Sequence, residues 1–215
     1  MFGIHDLALF VLSGLLLNIA PGVDFLYVLS NSAARGTVAG VWAALGIGAG
    51  CVVHILFAAL GLSAILASSA IAFSVVKWVG AAYLIYVGIS MLRQRRGVAL
   101  VVAEAAAQPG SAPGSRRIFW QGFLTNVLNP KVALFFLAFV PQFIAVSSPT
   151  KVQAFLLLGA IFNTTGTAWN LFVAWAAGML TRRLQLASRV GLWVNRSLGA
   201  LFIALGIRLG LSSRA

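Results

Sequence analysis

Six long apolar runs separated by short polar or basic segments form most of the chain. They cover approximately residues 7–30, 38–66, 73–92, 118–144, 152–180 and 192–211. An α-helix of about 20 apolar residues is long enough to cross the ~30 Å hydrocarbon core of a bilayer. The pattern therefore predicts an all-α integral membrane protein with six transmembrane helices.

Composition supports the same fold class. Hydrophobic residues make up 61% of the 215 positions and charged residues 8%, whereas roughly a quarter of a soluble domain is charged. The formal net charge is +12, but the basic residues lie between the apolar runs and do not cover one face of a soluble fold. We therefore predict that this surface contacts the lipid bilayer and that the protein does not bind nucleic acid.

The distribution of basic residues predicts the orientation in the membrane. Three connections, between runs one and two, three and four, and five and six, carry most of them: Arg35, Arg93, Arg95, Arg96, Arg116, Arg117, Arg182, Arg183 and Arg189. The opposite side has only Lys151 and Arg214 in its loops and tail. The positive-inside rule then places both termini outside, in the periplasm if the membrane is a bacterial inner membrane. The N-terminal MFGIHD lacks the basic residues of a secretory signal, so the first run is predicted to be a retained span.

The chain also contains a weak internal repeat. Asn18-Ile-Ala-Pro21-Gly22 in run one resembles Asn126-Val-Leu-Asn129-Pro130-Lys131 in run four, and Lys77-Trp-Val-Gly80-Ala81 in run three resembles Arg196-Ser-Leu-Gly199-Ala200 in run six. The predicted domains are a first three-helix repeat (1–96), a cytoplasmic linker (97–117) rich in Ala, Gly, Pro and Ser, and a second three-helix repeat (118–215). Because each half has an odd number of spans, the repeats are inverted relative to each other. The alternative is that small residues and prolines recur by chance in a helical bundle.

Pro21 and Pro130 predict that helices 1 and 4 are broken. Proline lacks a backbone N–H and clashes with the preceding turn. Both prolines fall near the membrane midplane, where a broken backbone needs cover from protein or a water-lined cavity. Paired breaks therefore predict a binding site, although structural kinks packed against neighbouring helices would give the same sequence.

Charged and amide residues accompany both breaks. Asp24 and Lys131 are costly in the centre of a span, at ~2.5–3.5 kcal/mol each. They either pair with each other, or Asp24 binds an ammonium and a proton by turns while Lys131 and the half-helix N-termini bind a carboxylate. The predicted substrate-binding residues are Asn18, Pro21, Gly22, Asp24, Asn126, Asn129, Pro130 and Lys131, and Asp24 is also the predicted proton-coupling residue.

Other polar residues are interpreted as structural or left open. Lys77 and Arg196 lie near span entrances and reach the interface, and for His54 a packing hydrogen bond is favoured over a proton relay. Asn163, Thr164, Thr165, Thr167 and Asn170 suit either a lining helix or interhelical hydrogen bonds. Cys51 is the single cysteine, and the sequence contains no HExxH, GxSxG or CxxC motif. We therefore predict no enzyme, no metal site and no cofactor.

The sequence resembles the LysE/RhtB family of amino-acid exporters, of the homoserine, threonine and homoserine-lactone efflux type. The resemblance covers nearly the whole chain and is based on three segments: Asn18-Ile-Ala-Pro21-Gly22-Val-Asp24-Phe25-Leu26-Tyr27-Val28, Gly80-Ala-Ala-Tyr83-Leu-Ile-Tyr86-Val-Gly88, and Gln121-Gly122-Phe123-Leu124-Thr-Asn126-Val-Leu-Asn129-Pro130-Lys131. Val23 stands where family members often carry a second proline, which leaves one break in this helix instead of two.

The resemblance implies a function and a location. It implies an antiporter of the bacterial inner membrane that exports a small amino acid or derivative, such as homoserine, threonine, leucine or lysine, in exchange for protons. It places Asp24 and Lys131 at the family's intramembrane charged positions, and Pro21, Gly22, Asn126, Asn129 and Pro130 in its helix-breaking motifs. The alternative function is a membrane channel or a regulatory scaffold without amino-acid transport. Assembly into a homo-oligomer stays open, because glycine-rich faces can pack within a chain or between chains.

Overall fold

The computed structural model describes residues 2–62, 70–93, 114–145, 147–179, 200, 203–204 and 206–207. These residues are mostly helical and form no strand, apart from an isolated bridge between Ile4 and Ile144. The helices are α1 (Leu7–Ile19), α2 (Val23–Arg35), α3 (Thr37–Leu56), α4 (Ala70–Arg93), α5 (Ser115–Val127), α6 (Pro130–Leu134) and α7 (Lys151–Met179). A π-helical segment, Phe57–Leu62, extends α3, and α6 continues as a π-helical segment, Phe135–Phe139, and a 3-10 turn, Val140–Phe143.

Several of these helices are long and apolar enough to cross a membrane. Thr37–Gly61 and Lys151–Met179 meet that criterion alone, and the bent pairs α1–α2 and α5–α6 meet it as broken spans, giving up to four in the described part of the chain. The predicted third run corresponds to the 24-residue α4. The predicted sixth run and the linker up to residue 113 lie largely outside the described residues. The helical membrane fold is thus confirmed, while six spans in two inverted repeats stay a prediction.

Both predicted helix breaks are present. The axes of α1 and α2 differ by 50°, and those of α5 and the segment Pro130–Phe143 differ by 45°. At the second break Pro130 is the first residue of α6, and the Asn129 side chain caps the helix by accepting a hydrogen bond from the backbone N–H of Lys131 at 2.9 Å. Proline is favoured at this position because its missing N–H would have no helical partner there. The two prolines therefore interrupt their spans for the expected physical reason.

Helix α3 packs closely against α5 because glycines remove side chains from the contact. A Cβ atom on Gly50 would lie 2.6 Å from the carbonyl oxygen of Phe123, and one on Gly122 would lie 2.8 Å from that of Ala43. A Cβ atom on Gly46 would overlap the carbonyl group of Phe119. Small residues allow such close approach between membrane helices, so the middle of α3 lies directly against the end of α5 where the second break begins.

Two apolar clusters pack on either side of the polar middle of α7. Phe155, Leu158 and Phe162 join α1 and the α6 region in one cluster, and Val173 and Ala174 join α2, α3 and α5 in the other. Many large apolar side chains point outward instead, including Phe57 (74% exposed) and Leu128 (76% exposed). An apolar exterior of this kind suits contact with lipid.

Candidate functional site

A small cavity lies where the two helix breaks meet. Its volume is ≈ 40 Å³, which accommodates about three water molecules at ~10–15 Å³ each. Six of the eight predicted site residues line it: Asn18, Gly22, Asp24, Asn126, Asn129 and Lys131. Pro21 and Pro130 do not line it, but they create the breaks that bound it. The structure therefore brings the residues of both sequence motifs together, although more than 100 positions separate them.

Asp24 lies in the first turn of α2 and is bound by the opposite half of the molecule. Its Oδ2 atom accepts hydrogen bonds from Asn126 Nδ2 at 2.8 Å and from Asn129 Nδ2 at 2.9 Å. These two amides flank the second break, one on the last turn of α5 and one at the N-cap of α6. The carboxylate that follows the first break is thus fixed by residues of the second.

Lys131 binds the first break in return. Its Nζ atom donates to the carbonyl oxygens of Leu17 at 2.8 Å and Ala20 at 3.0 Å, at the C-terminal end of α1. In a continuous helix the Leu17 carbonyl would accept from the N–H of residue 21, which is a proline and has none. Lys131 therefore supplies the donor that Pro21 lacks, and its positive charge lies at the negative end of the α1 dipole.

The structure decides one alternative left open by the sequence. Asp24 and Lys131 do not form an ion pair: among the described residues, His5 and Asp6 are the one acid–base pair with a nitrogen and an oxygen within 4.0 Å. Each charge is bound to neutral groups of the opposite break instead. The two broken spans are consequently joined by a reciprocal set of hydrogen bonds, in which each provides the polar side chains that the other needs.

His54 makes the packing hydrogen bond that the sequence interpretation favoured. It lies on α3, and its Nε2 atom is 2.9 Å from the carbonyl oxygen of Asn126. Because a carbonyl only accepts hydrogen bonds, Nε2 must carry the proton. The Asn126 carbonyl is four residues before Pro130, so it has no α-helical donor, and it accepts instead from the Asn129 backbone N–H at 2.9 Å. His54 is therefore the second donor to this carbonyl.

Helix α7 contributes the remaining polar wall. Asn163, Thr167 and Asn170 line the cavity, and their spacing places them on one face of the helix. Thr165 lies on another face, where its hydroxyl donates to the Ile161 and Phe162 carbonyls at 2.9 and 3.0 Å. Asn18 of α1 donates to the same Phe162 carbonyl at 3.3 Å. Asn18 Nδ2 also donates to the Thr165 hydroxyl at 3.5 Å, so an interhelical hydrogen bond at Thr165 accompanies the lining role of Asn163, Thr167 and Asn170.

The family model of the LysE type translocator matches residues 15–213 of the chain. The chain belongs to this translocator family. The matched residues include both helix breaks and every cavity residue, so the family assignment and the site refer to the same part of the molecule.

Three relatives of this LysE-type chain illustrate its similarities. An uncharacterised membrane protein of Pseudomonas aeruginosa is 31% identical, covering 96% of this chain and 95% of its own length. An uncharacterised membrane protein of Bacillus subtilis is 29% identical, covering 97% of this chain and 100% of its own length. A leucine efflux protein of an Enterobacter species is 27% identical, covering 97% and 96%. No solved structure gives a significant match.

Membership in the LysE family and the apolar helices together establish an integral membrane protein. They also agree with the sequence interpretation that the chain is a translocator. No group of three or more His, Cys, Asp and Glu side chains is placed to bind a metal within the part of the chain that the structure describes. The chemistry that the cavity offers is one carboxylate, one ammonium and several amides, which suits a small zwitterionic ligand.

Proposed function

We propose that this LysE-type translocator exports a small neutral amino acid through the cavity at the two helix breaks. The observation that carries the proposal is the crossed arrangement of Asp24 and Lys131, each bound to the break of the other half. Relatives that cover nearly the same length are named leucine efflux proteins. Leucine is therefore our first candidate substrate, followed by homoserine and threonine.

The polarity of the cavity supports a zwitterionic ligand. Asp24 binds the substrate ammonium, while Lys131 and the N-terminus of α2 bind the carboxylate, since a helix N-terminus attracts negative charge. Asp24 is the single acidic residue in the six predicted spans, which favours a neutral amino acid over a dibasic one. Leu17, Phe25, Ile47, Val132 and Phe162 supply apolar lining that suits a side chain such as that of leucine.

Transport requires the crossed hydrogen bonds to open. A cavity of ≈ 40 Å³ holds about three waters, so it must widen to admit an amino acid. The two halves rock about the breaks and expose the cavity to one side of the membrane at a time. Substrate drives this motion only by binding the two states differently. On the return step a proton neutralises Asp24 in place of the departed ammonium, which couples export to proton entry.

We also propose the topology given by the charge distribution. The two halves are inverted three-helix repeats in the bacterial inner membrane, with both termini in the periplasm. The matching order in the described chain, a broken span followed by a long span in α1–α3 and a broken span followed by a long span in α5–α7, supports the repeat. A homo-oligomer is compatible with this arrangement but not required by it.

Amino-acid accumulation outside overexpressing cells tests the proposal. Cells that express the wild-type protein are expected to accumulate leucine or another neutral amino acid in the medium beyond the vector control. Asp24→Asn removes the charge that binds the ammonium and should abolish this excess. Asp6→Asn is the matched control, because Asp6 is exposed and precedes α1. Equal accumulation by wild type and Asp24→Asn, at equal membrane protein levels, would contradict the proposal. An ionic current through the purified protein that does not depend on substrate would favour a channel.

A further inference from the structure

Two buried oxygen atoms beside the cavity lack hydrogen-bond donors. They are Oδ1 of Asp24 and Oδ1 of Asn126, and both residues line the cavity. Asn126 is only 2% exposed, so bulk water does not serve its oxygen. A buried acceptor without a donor is unfavourable, and groups left in this condition call for an explanation.

The orientation of Asn126 follows from its partner. The Asp24 carboxylate, as an acceptor, requires the Nδ2 atom of Asn126 to face it, at 2.8 Å, and this leaves Oδ1 of Asn126 without a donor. Asn129 differs, because its Nδ2 donates to Asp24 while its Oδ1 accepts from the Lys131 backbone. The two unserved oxygens thus belong to neighbouring groups joined by one hydrogen bond.

Helix α3 contacts Asn126 through two of its residues. Gly50 leaves room for it, since a Cβ atom there would lie 2.9 Å from Asn126 Cβ and 3.3 Å from its Oδ1. One turn later His54 donates to the Asn126 backbone carbonyl and stacks on Phe136, with ring centroids 6.4 Å apart and planes 5° apart. Residues four apart lie on the same helix face. Gly50 therefore leaves room for the Asn126 side chain, and His54 holds the backbone that carries it.

We propose that Asp24 Oδ1 and Asn126 Oδ1 form a two-acceptor subsite for a primary ammonium group, and that His54 is the positioning residue that holds Asn126 in it. An ammonium carries three N–H donors and one positive charge, which match one carboxylate oxygen and one amide oxygen. The inference rests on the proposed function and narrows its substrates to molecules with a free amino group. Their N-acylated and deaminated analogues are excluded, because they offer no cation to the carboxylate.

Competition in proteoliposomes tests the subsite from the side of the ligand. Vesicles containing the full-length protein are loaded with leucine, and the entry of labelled leucine is measured with leucinamide or 4-methylpentanamide outside. Leucinamide keeps the ammonium and 4-methylpentanamide lacks it, while neither carries a carboxylate. Leucinamide should compete at a concentration about tenfold or more lower, as expected for a hydrogen bond to a charged group. Equal competition by the two, at any strength, would overturn the subsite.

Variants test it from the side of the protein. Asn126→Leu keeps a similar volume without the acceptor and should raise the half-saturating leucine concentration about tenfold. His54→Phe keeps an aromatic ring but not the donor, so it should raise the half-saturating leucine concentration with little change in maximal rate. His54→Gln retains an N–H donor and should restore part of the affinity. Thr125→Val is the control, because Thr125 precedes Asn126 but its hydroxyl donates to the Gln121 carbonyl at 2.7 Å.

The two proposals fail in different ways. Absence of saturable leucine counterflow in the wild-type protein would overturn the proposed function and the subsite together. Saturable counterflow with unchanged half-saturation in both Asn126→Leu and His54→Phe would overturn the subsite alone. A fall in maximal rate without a change in half-saturation for His54→Phe would assign His54 a structural role and overturn its positioning role.

Discussion

Two prolines account for much of the local chemistry at this site. Pro21 and Pro130 leave the carbonyls of Leu17 and Asn126 without their α-helical donors. Lys131 donates to the first carbonyl, and the second accepts from His54 and from the Asn129 backbone N–H. The prolines and the intramembrane charges were predictable from sequence, because each is unfavourable in a span without a compensating partner. The pairing was not predictable, because it depends on which helix faces each break.

Removing the Lys131 ammonium should destabilise the protein. Lys131→Met leaves the Leu17 and Ala20 carbonyls without their donor, so the free energy of unfolding should fall by about 1–3 kcal/mol. Thermal unfolding of the purified protein in detergent measures the change. Lys151→Met is the matched control, since Lys151 begins α7 and its ammonium donates to a single carbonyl, that of Ser148 at 3.0 Å. Equal melting temperatures for the two variants would contradict the role assigned to Lys131.

At the scale of elements, hydropathy located the spans that the structure describes but not their internal structure. The run predicted at 118–144 begins three residues earlier, at Ser115, and divides into α5, the short α6, a π-helical segment and a 3-10 turn. An apolar run reports that a segment prefers lipid or a protein interior. It does not report which carbonyl each N–H reaches, so the π-helical and 3-10 segments had no sequence signal of that kind.

The close packing of α3 on α5 gives an element-scale prediction. Gly46→Ala places a methyl group against the Phe119 carbonyl, which belongs to backbone and cannot rotate away. Overpacking of this kind costs about 1–3 kcal/mol, so the melting temperature of the variant should fall. Gly61→Ala is the control, because no atom lies within 4 Å of the position of its Cβ and alanine is the better helix former. A Gly46→Ala protein as stable as Gly61→Ala would show that the helices do not pack this closely.

At the scale of the whole molecule, the described residues test some of the predictions made from the sequence and leave others untested. The segments near residues 18–24 and 126–131 were expected to meet, and the structure brings them together at one cavity. Inversion of the two halves and the side of the termini depend on the membrane and on residues 180–199, which lie outside the described part of the chain. The odd number of predicted spans in each half is the basis for the inversion, and charge counting is the basis for the side of the termini.

Labelling with a membrane-impermeant maleimide tests the topology. In a Cys51→Ala background, a cysteine introduced by Ser147→Cys should react in cells whose outer membrane has been permeabilised while the inner membrane is intact. One introduced by Ser111→Cys, in the predicted cytoplasmic linker, should react only after the inner membrane is permeabilised. The reverse pattern would show that the protein is inserted in the opposite orientation.

The proposed transport requires that an amino acid binds where the two breaks cross. Saturable binding of labelled leucine to the purified protein tests this most directly, with Asp24→Asn compared against Asp6→Asn. We expect wild type and Asp6→Asn to bind leucine with equal affinity and Asp24→Asn to bind it about tenfold or more weakly. Wild-type affinity in a folded Asp24→Asn protein would contradict the account.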